Sequence, residues 1–212
     1  NFSLGSARSA LKHRSLLFAV IGIFVYVGAE VSIGSFLVNF LTNVAGFVSA
    51  EHEAANYVAL YWSGAMAGRF IGGAMMQKIS SAKVLMSGAI AAAALVLTST
   101  IASGSIAAWA LLAVGLCNSI MFPTIFSLGV AGLGSLTSVG SSLLVMAIVG
   151  GALVPLAVGA LADASGLQAA LTLPAICYVY IAWFASRCEA DKTTAADSTA
   201  GRGSQSKASP AH

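Results

Sequence analysis

The chain has 212 residues, of which 58% are hydrophobic and only 8% are charged. Soluble domains carry about 25% charged residues, so a folded chain this poor in charge cannot cover its surface in water. With a mean hydropathy of +0.90, the composition predicts a membrane protein. The net charge of +3 is too small to indicate a nucleic-acid partner, and we expect the lipid bilayer to surround most of the chain.

Six apolar segments are each long enough to cross a hydrocarbon core of about 30 Å, which takes about 20 residues. In chain order they cover 15–42, 56–78, 83–102, 106–130, 138–162 and 168–187. We therefore predict an all-α, polytopic membrane protein whose six-helix transmembrane bundle covers 15–188. The polar residues 1–14 are predicted to form a cytoplasmic connecting loop, as in a piece of a longer chain. Residues 189–212 are predicted to form a disordered cytoplasmic tail.

The charged residues outside the apolar segments predict the orientation of the bundle. Basic residues lie before the first segment, around the second loop and after the sixth segment: Lys12, Arg14, Lys78, Lys83, Arg187 and Lys192. The intervening loops instead carry Glu51, Glu53 and Asp163. Because Lys and Arg favour the cytoplasmic side, we predict that both termini are cytoplasmic, which agrees with an even number of crossings.

Glu30 is the one formal charge within the first apolar segment, in the stretch "YVGAEVSIGSFLVNF". An ionised carboxylate at the centre of a bilayer costs about 2.5–3.5 kcal/mol on insertion scales. Glu30 must therefore be neutral, paired or directed towards water. Three roles stay open for it: proton coupling, hydrogen bonding to a substrate, and a structural contact between helices.

Glycine and proline within the segments predict how the helices pack. Gly64, Gly68 and Gly72 repeat every four residues and form a small-residue face that allows another helix to approach closely. Pro123, Pro155 and Pro174 lie within the fourth, fifth and sixth segments, where each is expected to kink its helix because it removes a backbone hydrogen bond.

Enzymatic classes find no support in the sequence. A rhomboid-type intramembrane protease needs a histidine base within the membrane, but the histidines are His13, His52 and His212, all outside the apolar segments. Aquaporin Asn-Pro-Ala motifs and nucleotide-binding loops are absent from the sequence. The three cysteines lack the spacing of a metal site. We therefore expect no catalytic residues, no metal and no cofactor.

Five stretches carry a family resemblance over residues 16–187. They are "YVGAEVSIGSFLVNF", "YWSGAMAGRFIGG", "NSIMFPTIFSLG", "VMAIVGGALVPLAVGALAD" and "LPAICYVYIAWF". Together they resemble the C-terminal half of major facilitator sugar transporters, in particular the glucose/galactose members of the fucose permease family. The resemblance implies helices seven to twelve of a twelve-helix protein in a bacterial inner membrane. It also implies sugar uptake coupled to protons.

Such transporters bind substrate between their two halves, so we expect this chain to need an N-terminal six-helix partner and to be inactive alone. The alternative is a half-size membrane protein that acts as a structural or assembling partner.

The resemblance also implies that the first and fourth helices line the central cavity. These helices carry Glu30 and Asn118, each about 20 Å from one end of its segment. Asn118 has donors and an acceptor that suit sugar hydroxyls, or equally an interhelical hydrogen bond. Phe122, one turn later, packs against either a sugar ring or other side chains. Tyr26, one turn before Glu30, is a candidate to orient the carboxylate.

Two further residues are weaker candidates for the site. Asn39 lies about 180° around the first helix from Glu30 and is a secondary candidate near the outer end. Arg69, in a stretch loosely similar to a basic motif of the superfamily, is expected to snorkel towards the cytoplasm or to pair with an acid. We favour a gating or structural role for Arg69 over contact with substrate.

The predicted orientation can be tested with single cysteines in a cysteine-free background. Cysteines at His52 and Ala164 are expected to react with membrane-impermeant thiol reagents in intact cells, and a cysteine at Ser81 is not, because Lys and Arg hold the loop around Ser81 in the cytoplasm. The opposite labelling pattern would contradict the orientation.

Overall fold

The computed structural model of the chain describes residues 4–207, and the regular elements in that range are helical. The α-helices are α1 (Leu4–Leu11), α2 (Arg14–Asn39), α3 (Glu51–Met76), α4 (Ser81–Ile101), α5 (Gly104–Asn118), α6 (Met121–Val130), α7 (Thr137–Met146), α8 (Gly150–Ser165), α9 (Leu167–Ala170) and α10 (Thr172–Lys207). A π-helical turn, Phe40–Val44, continues α2, and a 3-10 turn, Ala147–Val149, joins α7 to α8. The predicted all-α class is confirmed.

Each predicted apolar segment corresponds to one helix or to two consecutive helices. The first, second and third segments form α2, α3 and α4, whereas the fourth, fifth and sixth are each divided into two α-helices. The largest difference in a starting point is at α3, which begins at Glu51 rather than at residue 56. Glu53 thus falls in its first turn, where an acidic side chain interacts favourably with the helix dipole.

Within residues 4–207, five helical spans are long and apolar enough, by length and composition, to cross a membrane. These are Arg14–Val44, Ser81–Ile101, Gly104–Val130, Gly134–Ser165 and Leu167–Thr194. The remaining predicted segment, α3, has 26 residues and therefore the required length. Arg69 and the glycine- and serine-containing sequence of α3 lower its hydropathy below that of the other five.

Helices extend into both polar segments that flank the bundle, as far as the described residues reach. The predicted connecting loop contains α1, whose Ala7 and Ala10 are buried. The predicted disordered tail instead continues α10 as far as Lys207; residues 208–212 lie outside the described residues. Extending an existing helix adds one hydrogen bond per ordered residue, and no proline interrupts this helix between Pro174 and Pro210.

Helix α2 is the centre of the bundle, since it packs against α6, α8 and α10. Helix α10 also packs against α4, and α5 lies between α3 and α4. The outward faces of these helices carry exposed apolar side chains, such as Phe70, Ile101 and Leu156. A surface of this kind suits lipid, and in lipid the close packing of helices takes over from the hydrophobic effect in holding the bundle together.

Small residues allow the closest helix crossings. A Cβ atom at Gly68 would meet Ser119 and the backbone carbonyl of Leu116, and one at Gly72 would meet Ile120, so the predicted glycine face of α3 packs against the end of α5. At the crossing of α2 and α8, a Cβ atom at Gly150 would meet the backbone of Phe24. Gly150 is the tightest constraint of the three, because its new Cβ atom would have the nearest contact and would meet only backbone atoms, which cannot move aside as a side chain can.

We predict that Gly150→Ala destabilises the protein by about 1–3 kcal/mol, the usual cost of overpacking. The matched control on the same helix is Gly159→Ala, where the new Cβ atom would lie at an ordinary 3.5 Å from the Phe36 ring. Thermal unfolding in detergent, monitored by size-exclusion chromatography of heated samples, should show a lower midpoint for Gly150→Ala than for Gly159→Ala and the unsubstituted protein. Equal midpoints for the two variants would contradict this account.

Candidate functional site

Glu30 lies on the central helix α2 and is only partly buried. Its carboxylate is next to the Tyr26 hydroxyl and within electrostatic range of the Arg69 guanidinium. It makes no ion pair within 4.0 Å; the salt bridge found among the described residues joins Lys83 to Glu189 at 3.4 Å. Glu30 thus has one hydroxyl donor and one positive charge in its vicinity but no direct ion pair among the described residues.

Asn118, the last residue of α5, is the centre of a buried hydrogen-bond cluster. Its side-chain amide nitrogen donates to the Tyr61 hydroxyl at 2.9 Å, and its side-chain oxygen accepts from the Tyr178 hydroxyl at 2.8 Å. Its backbone carbonyl accepts from the Tyr26 hydroxyl at 3.0 Å. Asn118 and Tyr178 have no exposed surface, and the other two tyrosines are at most 3% exposed. We call these four residues the Asn118 cluster.

The Asn118 cluster joins helices that are distant in sequence. Tyr26 comes from α2, Tyr61 from α3 and Tyr178 from α10, so one asparagine connects four helices. The interhelical hydrogen bonds that the sequence left open for Asn118 are therefore made. Because Asn118 has no exposed surface, a sugar hydroxyl could reach its side-chain amide only if the surrounding side chains moved aside.

The fourth transmembrane segment is interrupted next to this cluster. Helix α5 ends at Asn118 and α6 begins at Met121. Pro123 has no backbone N–H to offer to the carbonyl four residues earlier, which is that of Ser119. That carbonyl accepts instead from Nε of Arg69 on α3, at 3.2 Å.

Arg69 thus bonds to a backbone carbonyl rather than to an acid. No acidic oxygen lies within 4.0 Å of it among the described residues. The sequence identified Arg69 and Pro123 separately, but it gave no sign that the acceptor left free by the proline would be used by the arginine. This contact holds α3 against the break in the fourth segment.

The two remaining candidates differ in their position. Phe122 lies beside Tyr26, with ring centroids 6.5 Å apart, and stacks on Phe126 at 6.1 Å. Asn39 is exposed at the end of α2, where its side-chain oxygen accepts from Asn43 at 2.6 Å. The structure therefore brings Glu30, Tyr26, Asn118 and Phe122 together with Arg69 and leaves Asn39 apart.

Sequence reasoning missed Tyr61 and Tyr178. Each is a tyrosine among other aromatic residues in an apolar segment, in "YWSG" and "YVYI", and nothing in such a pattern separates a hydrogen-bonding tyrosine from a packing one. The only available signal was that buried tyrosine hydroxyls need partners and that Asn118 has several hydrogen-bonding positions.

Two cavities lie outside this group of residues. A groove of about 170 Å³ runs between α3, α4 and α5 past Gly68, Gly88 and Cys117. A second, of about 180 Å³, lies between the start of α2 and α10, beside Arg14 and Arg187. Neither of these two cavities is lined by Glu30 or Asn118.

We predict that Asn118→Ala lowers stability by about 1–3 kcal/mol, since it leaves the buried hydroxyls of Tyr61 and Tyr178 without their present partner. Asn43→Ala is the matched control, because Asn43 is exposed and bonds only to Asn39 within the described residues. Thermal midpoints of both variants should be measured in the same detergent. A loss of stability in the control of the same size would show that the cluster is not the cause.

No protein-family model matches the chain, but relatives and solved structures do. The glucose/galactose transporter of Brucella abortus is 57% identical over 178 residues, which cover 83% of this chain and 43% of that protein. The L-fucose-proton symporter of Escherichia coli is 37% identical over 194 residues, 87% of this chain and 42% of that protein. The chain thus spans less than half the length of the curated relatives it matches.

A comparison with solved structures also finds a transporter, of which this chain matches less than half. The crystal structure of FucP, a major facilitator superfamily transporter in the outward conformation, superimposes with a TM-score of 0.84 at 35% identity. The match covers 88% of this chain and 45% of FucP. The names of these proteins describe transporters and not enzymes, as the sequence predicted. The chain matches one half of a major facilitator superfamily transporter, and the relatives that it matches are named glucose/galactose transporter and L-fucose-proton symporter.

Proposed function

We propose that the chain forms the C-terminal half of a twelve-helix transporter that carries a hexose or deoxyhexose sugar together with a proton. The observation that carries the proposal is Glu30, a partly buried carboxylate on the central helix, with Tyr26 beside it and the Arg69 guanidinium within electrostatic range. An intramembrane carboxylate of this kind suits a group that takes up and releases a proton. The names of the relatives supply the sugar and the coupling ion.

The substrate site in this proposal is shared between two halves. Glu30 binds the proton and accepts hydrogen bonds from sugar hydroxyls, and the ring of Phe122 packs against the sugar. Tyr26 orients the carboxylate. Asn118 bonds to a sugar hydroxyl in place of one of its two tyrosine partners. Asn39, exposed at the end of α2, contacts sugar as it enters from the outer side.

Arg69 has a gating role in the same proposal. Its bond to the Ser119 carbonyl ties α3 to the break between α5 and α6, so a movement of either helix changes this contact. A guanidinium has five N–H donors, and Arg69 can therefore keep the carbonyl while another of its donors turns towards Glu30. In this role, the contact between Arg69 and the Ser119 carbonyl forms and breaks as the cavity closes and opens.

The remaining partners follow from the same proposal. A six-helix N-terminal half supplies the opposite wall of the cavity, so the chain alone does not transport. The protein lies in the inner membrane with both termini in the cytoplasm. The polar groups around Glu30 then face the partner half and water rather than lipid, which avoids the cost of leaving them unsatisfied in hydrocarbon.

The proposal can be tested with a chimera, in which this chain replaces the matching part of the Brucella abortus glucose/galactose transporter. The chimera should accumulate sugar in a strain that lacks its own uptake system, whereas the chain alone should not. Transport by the chain alone would contradict the need for a partner half. Failure of a stably folded chimera to transport any hexose or deoxyhexose would contradict the proposed function.

Substitutions of Glu30 in the chimera separate its proposed roles. Glu30→Gln keeps the shape but cannot ionise, so it should still bind and exchange sugar while losing uphill accumulation driven by a pH gradient. Glu30→Ala should in addition weaken sugar affinity by about 1–3 kcal/mol, roughly 5- to 150-fold. Glu53→Gln is the control, since Glu53 is exposed near the start of α3. Normal proton-driven uptake per folded molecule in both Glu30 variants would remove Glu30 from the mechanism.

A further inference from the structure

The Tyr26 hydroxyl has two acceptors within reach and one proton to donate. In the structure it donates to the backbone carbonyl of Asn118 at 3.0 Å. The Glu30 carboxylate, one turn further along α2, lies next to the same hydroxyl. A phenol can donate only one hydrogen bond at a time, so the two acceptors compete.

The charge of Glu30 decides this competition. A hydrogen bond to an ionised carboxylate is about twice as strong as one between neutral groups, so an ionised Glu30 draws the hydroxyl away from the carbonyl. A protonated Glu30 has no such advantage, and the hydroxyl stays on Asn118. The arrangement in the structure is the one expected for protonated Glu30.

The Asn118 backbone carbonyl lies at the break in the fourth segment. Asn118 ends α5 only three residues before α6 begins, and the neighbouring Ser119 carbonyl already depends on Arg69 for a donor. When Tyr26 leaves, its bond from α2 is lost, and the Arg69 bond to the Ser119 carbonyl, from α3, is the remaining side-chain bond that ties these two carbonyls to another helix. The angle between α5 and α6 then becomes less restrained.

We propose that Tyr26 is a positioning residue that links the charge of Glu30 to the hinge between α5 and α6, by moving its single hydrogen bond between the Glu30 carboxylate and the Asn118 carbonyl. The inference rests on the proposed function insofar as Glu30 is the proton site. It adds the route by which loss of the proton changes the shape of a cavity-lining helix.

Other groups near Glu30 do not provide an alternative donor of the same kind. Arg69 on α3 carries a charge, but its several donors allow it to serve two acceptors together. Tyr178 on α10 lies within electrostatic range of Glu30, but its hydroxyl already donates to the side-chain oxygen of Asn118. Tyr61 on α3 lies in the same range, but its hydroxyl accepts from the side-chain amide of Asn118, so turning its own proton towards Glu30 would not release the Asn118 backbone carbonyl. Helix α8 carries only Asp163, near its far end, and the fourth segment has no formal charge.

Spin labels on either side of the break test this inference in the full chain in lipid nanodiscs. Labels at Ser105→Cys and Ala131→Cys, both exposed, span α5 and α6 once the three native cysteines are replaced by alanine. The distance distribution between the labels should shift between about pH 4 and about pH 9, a range that brackets the ionisation of carboxyl groups in proteins.

Two variants should remove the shift in opposite ways. Tyr26→Phe retains the ring but has no hydroxyl, so its distances should resemble the alkaline form of the unsubstituted protein at both pH values. Glu30→Gln cannot ionise, and its distances should resemble the acidic form at both pH values. The matched control is Tyr180→Phe, which removes another tyrosine bond to a backbone carbonyl, that of Phe18 at 3.1 Å, and should retain the full shift.

The inference is overturned if the unsubstituted protein shows no shift, if the shift survives in either variant, or if both variants adopt the same form. If Tyr26→Phe fails to fold, the Glu30→Gln result decides alone: a distance locked in the acidic form supports the link and a retained shift refutes it. The transport assay separates this inference from the proposed function. Proton-driven uptake by the chimera without a distance shift refutes the link only, and a shift without sugar transport refutes the proposed function only.

Discussion

In a bilayer, a backbone carbonyl that loses its helical donor must find another one, because no water is present to replace it. Pro123 creates this situation in the middle of the fourth transmembrane segment, and the arrangement of the site follows from how it is resolved. Arg69 crosses from α3 to the Ser119 carbonyl, and Tyr26 crosses from α2 to the Asn118 carbonyl. The side chains that surround Glu30 are therefore held in place by backbone atoms of another helix.

Helix packing supplies the second condition for this arrangement. Arg69 reaches the fourth segment because Gly68, its neighbour on α3, allows α3 to approach Ser119 closely. Tyr26 reaches the same segment because α2 is the centre of the bundle and packs against α6. Small residues and long polar side chains thus act together: the first bring the backbones close, and the second bridge the short distance that remains.

The sequence predicted the parts of this protein that depend on local properties. The lengths of the apolar segments gave the helices, the i, i+4 spacing placed Tyr26 beside Glu30, and the glycine repeat predicted the close approach of α3. It did not predict the partners of Arg69 or Asn118, since these depend on how each helix is rotated towards its neighbours. The long extension of α10 was also missed, because its polar composition resembles that of disordered segments.

Asn118 is bonded to residues that lie 57, 60 and 92 positions away in the chain. Contacts of such long range form only after the intervening segments have been brought together, and membrane helices insert before they associate. The cluster can therefore close only once helices α2, α3, α5 and α10 are all in place. The three tyrosine hydroxyls thus favour the fully assembled bundle over partly assembled ones. A bundle that lacks any one of these helices leaves at least one polar group of the cluster without its partner.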